Sequence, residues 1–161
     1  MDKLRLTVNA LPWPGYLNID PVRQPCDDII RSSNVDFRMI ENFVKPREFY
    51  KVIADNVLEY IPYKDIEAFI GKLVALLRIG GQLVINGVEV LDLVRMLHTN
   101  LIDIREYNIR TFGVGVNHPW SYKSSTTSMF DVEEILKKYG LKIVKKSLDN
   151  GEFSITGERV E

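Results

Sequence analysis

Residues 50–90 constrain the fold more than any other part of this chain. The stretch opens with the apolar run 50–54, and from Asp65 the apolar residues recur at spacings of three and four, which predicts an amphipathic helix. The apolar positions on one face of that helix are Ile66, Phe69, Ile70, Leu73, Val74 and Leu77. Gly80 and Gly81 predict its end, because glycine readily takes the left-handed conformation of a C-terminal cap. Residues 82–87 follow as a second strand, so the pattern predicts a right-handed βαβ unit.

Two buried parallel strands joined by a crossover helix form the centre of an α/β sheet. We therefore predict an α/β protein with a mostly parallel central sheet and helices on both faces. The chain has 161 residues, of which 45% are hydrophobic, so we expect a single compact domain over residues 1–161.

The rest of the chain supplies further elements by the same patterns. Strands are predicted at residues 4–8, 16–19 and 35–40, and a closing antiparallel hairpin at residues 141–146 and 152–160. Helices are predicted at residues 26–33, 88–100, 101–111 and 131–140. Asp131 and Glu134 resemble a capping box at the start of the last helix. A long polar and aromatic loop occupies residues 112–128.

Composition narrows the classes of function. A formal charge of −1 and a pI near 6.2 give no general affinity for nucleic acid or an anionic membrane. No apolar run has the roughly 18 residues of a membrane span, and the N-terminus lacks the pattern of a signal peptide. Cys26 is alone, so neither a disulfide framework nor a metal site is expected. We expect a cytoplasmic protein; aromatic residues such as Trp13 leave a homodimer open.

The central stretch also resembles a known family. V-I-A-D-N-V-L-E-Y-I, then a helix ending L-L-R-I-G-G, then Q-L-V-I, is similar to the middle of class I S-adenosylmethionine-dependent methyltransferases. Tyr60 stands where that family usually has histidine, and Ile79 where it usually has proline. The resemblance implies a Rossmann-like methyltransferase fold with a final antiparallel strand.

A second match lies upstream. L-R-L-T-V-N-A-L-P-W-P-G-Y-L-N-I-D resembles a compact methyltransferase subfamily in which a short loop replaces the first helix. The positions that match its P-G-[WY]-x-N-x-D pattern are Pro14, Gly15, Tyr16, Asn18 and Asp20. The resemblance implies that the first two strands are adjacent and parallel, although strands so close in sequence normally form a hairpin.

The resemblance implies that S-adenosylmethionine lies across the carboxyl ends of the first four strands. Asp20, at the end of the second strand, would accept hydrogen bonds from the ribose hydroxyls. An aspartate before Pro21 is also typical of a plain turn. Glu41 or Asn42, at the end of the predicted third strand, would face the adenine.

The methionine end of the cofactor would lie beside Ala54, Asp55 and Asn56, although a polar transition from strand to loop needs no ligand to explain it. Thr7 and Asn9 occupy the places of two glycines that, in the family, let the backbone approach that end. Asparagine tolerates a positive φ better than most residues, whereas β-branched threonine fits less well.

Methyl transfer depends chiefly on holding donor and acceptor in line. His118, with Trp120 and Tyr122 beside it, lies in the loop that the resemblance puts over the carboxyl edge of the sheet. His118 and Tyr122 are therefore candidates for a base or for positioning the acceptor, although a lone loop histidine is often only a surface residue.

Two functions stay open at this point. One is an S-adenosylmethionine-dependent methyltransferase of unknown acceptor; the other is a non-catalytic binding or scaffold protein that keeps the fold. The replaced glycines favour the second, and Asp20 with the polar strand ends favours the first. A nicotinamide dehydrogenase is disfavoured, because no G-x-G-x-x-G follows the first strand.

Overall fold

The computed structural model describes residues 2–23, 32–115 and 118–161. Its strands, in chain order, are β1 (Lys3–Leu6), β2 (Leu17–Ile19), β3 (Ser32–Ser33), β4 (Phe49–Asp55), β5 (Leu77–Val88), β6 (Leu141–Asp149) and β7 (Glu152–Arg159). The described residues form one sheet of seven strands in the order β3-β2-β1-β4-β5-β7-β6. β1 to β5 pair in parallel, and β7 runs antiparallel between β5 and β6. The predicted fold class, including the final antiparallel strand, is confirmed.

The helices are α1 (Ile66–Leu76), α2 (Val90–His98), α3 (Ile104–Phe112) and α4 (Met129–Lys138). α1 and α4 pack on the apolar face of the sheet in one buried cluster, to which the strands contribute Leu4, Leu6, Val52, Ala54, Leu83 and Ile85. α2 and α3 form a smaller cluster with the end of β5. None of the helices in the described ranges is long and apolar enough to cross a membrane.

β1 and β2 are adjacent and parallel, with Leu4 opposite Leu17 and Leu6 opposite Ile19. The connection between them is a short loop without a helix, as the compact-subfamily resemblance implied. Asn18 holds this loop closed, since its side chain accepts from the Trp13 N–H at 2.9 Å and donates to the Trp13 carbonyl at 3.0 Å. The strands pair in parallel, so the hairpin that is usual for strands so close in sequence does not form.

The predicted third strand at residues 35–40 is wrong. The third strand is β3, and Phe37–Asn42 is a 3-10 helix that Asp36 caps by accepting from the Arg38 N–H. Phe37 and Ile40 are three residues apart and fully buried, whereas Met39, which the alternation placed inward, is 50% exposed. Helical spacing, not strand alternation, therefore buries the apolar residues here.

The predicted end of the central helix is also wrong. α1 ends at Leu76, and Gly80 and Gly81 lie inside β5. Gly80 has a φ of +75°, and a Cβ on Gly81 would lie 2.8 Å from the Arg78 carbonyl oxygen. The β4–β5 pairing shifts register in this region, so the glycines allow an irregular strand entry.

Most of the remaining predicted helices and strands are present where the structure describes them. Helices occur near residues 88–100, 101–111 and 131–140, although Ser128, not a capping box at Asp131, caps α4. The closing hairpin turns at Asn150 and Gly151, whose φ values are +50° and +74°. Of the helix predicted at 26–33, residues 26–31 lie outside the described residues, and Ser32–Ser33 form β3.

Candidate functional site

The carboxyl ends of β2, β1 and β4 lie side by side where the strand order reverses. Ligands of open α/β sheets bind at such a switch point. The loop after β1, Asp20 after β2, Asn34 after β3 and Asn56 after β4 meet at this edge. We call it the carboxyl edge.

The turn after β1 takes a glycine-like course without glycine. Asn9 is exposed and has a φ of +52°, the left-handed conformation that asparagine tolerates. The next residue, Ala10, donates its N–H to Oδ2 of Asp20 at 3.1 Å. Thr7 is 3% exposed and donates its N–H to the Ile19 carbonyl at 3.0 Å. The backbone therefore makes the turn without glycine, and the buried side chain of Thr7 occupies the place of one of the family's glycines.

Asp20 is held by the backbone. Its side chain accepts from the N–H groups of Ala10, Val22 and Arg23 at 2.9–3.1 Å, and the residue is 5% exposed. A carboxylate offers about four acceptor positions, so the N–H groups of described residues take most of them. The turn role of Asp20 is therefore observed, and its ligand role stays a prediction.

Asp55 is paired with an arginine that sequence reasoning missed. Nη2 of Arg5 lies 2.5 Å from Oδ2 of Asp55, and Arg5 is 4% exposed. Its guanidinium also donates to the Leu11 carbonyl at 2.7 Å and lies 4.1 Å from the centre of the Trp13 indole ring. Asn86 donates to Oδ1 of Asp55 at 3.2 Å. The sequence signal was an arginine inside a predicted strand, although the strand order and register that bring it to Asp55 are not visible in the sequence.

The other predicted residues on the methionine side behave differently from Asp55. Ala54 is fully buried in the apolar core, so its side chain faces away from the carboxyl edge. Asn56 has a φ of +52° and donates its N–H to the Asn86 carbonyl at 3.0 Å. Ala54 therefore contributes only its backbone to the carboxyl edge. Asn56 contributes its backbone and its side chain.

Glu41 and Asn42 do not end a strand, which corrects their predicted placement. They close the 3-10 helix, and Glu41 lies 2.6 Å from the Lys72 ammonium with both side chains well exposed. The hydrogen bond from Lys72 lowers the pKa of Glu41 below its usual value. Asn34 follows β3 instead, donating to the carbonyls of Asp20 and Arg23 at 3.3 and 3.2 Å.

The loop before α4 lies against the segments that follow β3 and β4. The Trp120 ring is centred 5.0 Å from the Phe37 ring and 5.7 Å from the Tyr60 ring. The Arg38 guanidinium lies 4.7 Å from the centre of the same indole. The N–H groups of Ser124 and Ser125 donate to the Glu59 carbonyl at 2.6 and 3.2 Å. Trp120 thus fixes this loop at the carboxyl edge.

His118 and Tyr122 belong to that loop, and both side chains are exposed. Nδ1 of His118 accepts from the Trp120 N–H at 3.2 Å, which caps a short turn. The Tyr122 hydroxyl donates to the Gly115 carbonyl at 3.3 Å. These contacts stay within the loop, and their suggested catalytic role stays a prediction.

Glu59 is a buried acid that sequence reasoning missed. Its Oε1 accepts from the Val88 N–H at 3.0 Å, and Oε2 has no partner among the described residues. Burial raises its pKa, against a smaller opposing attraction from Lys123. Burial, followed by the charges of Glu59 and Asp20, also raises the pKa of Tyr60. The described residues contain no group of three or more His, Cys, Asp or Glu side chains that could hold a metal ion.

No protein-family model matches this sequence, and no curated protein matches it. Among solved structures, 1,6-didemethyltoxoflavin-N1-methyltransferase of Burkholderia thailandensis, crystallised with 1,6-didemethyltoxoflavin and S-adenosylhomocysteine, is similar. It is 11% identical with a TM-score of 0.62, and the alignment covers 99% of this chain and 71% of that one.

Two further methyltransferase structures are also similar to this chain. A SAM-dependent methyltransferase from Archaeoglobus fulgidus is 8% identical with a TM-score of 0.62, over 98% of this chain and 86% of that one. The magnesium protoporphyrin IX methyltransferase of Synechocystis PCC 6803, crystallised with S-adenosylhomocysteine, is 14% identical with a TM-score of 0.52. That alignment covers 80% of this chain and 51% of the other. This chain has the fold of the class I S-adenosylmethionine-dependent methyltransferases.

Proposed function

We propose that this chain is an S-adenosylmethionine-dependent methyltransferase whose cofactor lies across the carboxyl ends of β1, β2 and β4. The turn after β1 carries the proposal. Asn9 supplies the left-handed backbone, and the Ala10 N–H is joined to Asp20. The turn therefore keeps a glycine-like backbone course next to an acid at the end of β2.

In this proposal S-adenosylmethionine supplies an activated methyl group, and the chain's residues bind and orient it. Asp20 would accept a ribose hydroxyl, in exchange for or beside its bond from Ala10. The backbone of residues 7–10 would approach the methionine end, with Asp55 and Asn56 beside it. Rate enhancement would come mainly from holding donor and acceptor in line.

A polar cavity beside Asp55 is where we place the methyl acceptor. It measures about 270 Å³ and is lined by Asp55, Asn56, Asn86, Ser147, Asp149, Glu152, Phe153 and Ser154. Asp149 and Glu152 bring negative charge, and the lining residues include no Lys, Arg or His. This supports a polar acceptor that carries an amine or other hydrogen-bond donors.

A non-catalytic protein with the same fold is the second candidate, and the Arg5–Asp55 pair favours it. Asp55 accepts from Arg5 and Asn86, and Asp20 accepts from backbone N–H groups. Two carboxylates at the carboxyl edge are thus already satisfied within the chain. Thr7 also keeps a buried side chain where the family has glycine.

Calorimetric titration with S-adenosylmethionine and S-adenosylhomocysteine separates the two candidates. The methyltransferase proposal expects a saturable site in the wild type and binding weakened about 10- to 150-fold in Asp20→Asn, equivalent to about 1.5–3 kcal/mol. Asp65→Asn is the matched control, because Asp65 is exposed and makes no side-chain cap bond at α1; its affinity should not change. No binding by the wild type at millimolar ligand would favour the non-catalytic protein.

A melting experiment gives an independent measure of the same site. A ligand that binds only the folded state stabilises it by RT ln(1 + [L]/Kd). A micromolar site at millimolar ligand should therefore add about 4 kcal/mol to the free energy of unfolding.

A further inference from the structure

A second cavity lies between the C-terminal end of α3 and residues 123–126. It measures about 240 Å³ and is lined by Thr111, Phe112, Lys123, Ser124, Ser125 and Thr126. Its lining therefore combines one cation with four hydroxyl groups and contains no carboxylate. The position is distinct from the proposed cofactor and acceptor sites.

One of those hydroxyls has no explanation within the fold. Thr111 is 4% exposed, and its Oγ1 has no hydrogen-bond partner among the described residues. Threonine in a helix commonly bonds to a carbonyl one turn earlier or points to solvent. A buried hydroxyl without a partner is costly, and a ligand atom in this cavity would supply one.

Lys123 brings a positive charge to the cavity, and one hydrogen bond from its ammonium group is observed. Its Nζ donates to the Arg110 carbonyl at 2.7 Å, and an ammonium group has three donors. Among the described residues Lys123 forms no ion pair. The carbonyls that end α3 disfavour an anion, but the ammonium lies against one of them and offsets that effect.

Glu59 is a buried acid at the same segment, since its carbonyl accepts from the N–H groups of Ser124 and Ser125. Lys123 attracts its carboxylate, yet burial is the larger influence and raises the pKa of Glu59. A raised pKa reduces the negative charge that Glu59 carries as the pH falls. No Asp or Glu side chain lines the cavity, so no carboxylate in the lining neutralises the charge of Lys123.

We propose that this cavity binds an oxyanion, a phosphate, sulfate or carboxylate group carried by a small molecule, through Lys123 and the hydroxyls of Thr111, Ser124 and Thr126. The Ser125 hydroxyl already donates to the Leu58 carbonyl at 3.2 Å. Charge-assisted bonds from an ammonium and hydroxyl donors suit such a group. The inference does not depend on cofactor binding or methyl transfer, because it uses neither Asp20 nor Asp55.

Titration of the full chain with inorganic phosphate, sulfate and acetate at constant ionic strength tests the proposal. We expect saturable binding of at least one anion, at least tenfold weaker in Lys123→Met and severalfold weaker in the near-isosteric Thr111→Val. Lys145→Met is the matched control, since Lys145 is exposed on β6 and does not line the cavity; its affinity should equal that of the wild type. Preference for phosphate or sulfate over acetate would indicate a phosphoryl or sulfuryl group, and the reverse a carboxylate.

Two results would overturn the proposal. One is the absence of saturation by any of the three anions in a wild type that is folded by circular dichroism. The other is an equal loss of affinity in Lys123→Met and Lys145→Met, which would indicate an adventitious ion only. If Lys123→Met fails to fold, Thr111→Val decides, because unchanged affinity in that variant contradicts the assignment.

Discussion

The guanidinium of Arg5 joins the carboxylate of Asp55 across two neighbouring parallel strands, with Nη2 and Oδ2 2.5 Å apart. The Trp13 indole covers the guanidinium, and the Leu11 carbonyl accepts from it. The connection from β1 to β2 is a loop without a helix. The ion pair and the loop residues above it therefore cover this part of the sheet.

Arg5→Met should destabilise the protein by about 3 kcal/mol, the lower end of the range for removing one partner of a buried ion pair. The lower end applies because the Asp55 side chain keeps 18% exposure. Urea denaturation measures the change in the free energy of unfolding. Lys138→Met is the control: both side chains of its pair with Glu67 are well exposed, and the loss should stay below about 1 kcal/mol. An equal loss of unfolding free energy in the two variants would show that the Arg5–Asp55 pair stabilises the protein no more than an exposed ion pair does.

Glu59 should make stability depend on pH. Its pKa is raised in the folded protein, chiefly by burial, so the folded state holds the proton more tightly than the unfolded state. The resulting stabilisation is complete below the unfolded pKa of about 4.3 and is lost as pH rises through the folded pKa. Glu59→Gln removes this titration, so the melting temperature of the variant relative to wild type should rise with pH.

Glu41→Gln provides a control of opposite sign. The hydrogen bond from Lys72 lowers the folded pKa of Glu41, so its contribution is present above the unfolded pKa and is lost as pH falls through the folded one. Both residues are exposed, which keeps this effect small. Melting curves from about pH 2.5 to 8 should thus show a slope of one sign for Glu59→Gln and, below about pH 4.3, a weak slope of the other sign for Glu41→Gln. A flat difference for Glu59→Gln would contradict the buried-acid assignment.

Asn9 tests whether the turn after β1 depends on its left-handed backbone. Asn9→Ala should cost about 1 kcal/mol, because an alanine at positive φ is strained. Asn9→Gly should change stability by less than about 0.5 kcal/mol, since relief of the backbone offsets the added chain entropy. Thermal unfolding of both variants measures the difference. Asn150, with a φ of +50° in the β6–β7 turn, should show the same ordering, and no difference between the Asn9 variants would rule out the constraint.

The sequence predicted the parts of the fold that follow from apolar periodicity. The βαβ unit around residues 50–90 is such a part, and it is present. The parallel pairing of β1 with β2 is present too, but only the family resemblance implied it, since strands so close in sequence normally form a hairpin. The strand predicted at residues 35–40 failed because Val35, Phe37 and Met39 alternate, while burial follows Phe37 and Ile40. Two patterns overlapped in a short stretch, and tertiary packing selected the helical one.

The sequence indicated which residues lie at the carboxyl edge better than it indicated which side chains contact one another there. Asp20 and Asn9 were identified through the family resemblance, Asp20 directly after β2 and Asn9 three residues after the end of β1. The Arg5–Asp55 pair depends on which strands are neighbours and in what register, and a linear pattern does not contain that information. Burial of Glu59 likewise depends on the loop before α4 returning to the end of β4, which Trp120 brings about.

Trp120 should control how firmly the loop before α4 is held. Its indole contacts two aromatic rings and the Arg38 guanidinium, contacts worth about 0.5–1.5 kcal/mol per aromatic pair and about 0.5–1 kcal/mol for the cation. Trp120→Ala should therefore speed amide hydrogen exchange at Ser124 and Ser125 by about 10- to 100-fold, because their N–H groups bond to the Glu59 carbonyl. The matched control is Trp13→Ala, at the other tryptophan, which packs against Arg5 and should leave those two amides unchanged. Exchange at Ser124 and Ser125 that is insensitive to Trp120→Ala would mean that the serine hydrogen bonds, not the aromatic packing, hold the loop at the carboxyl edge.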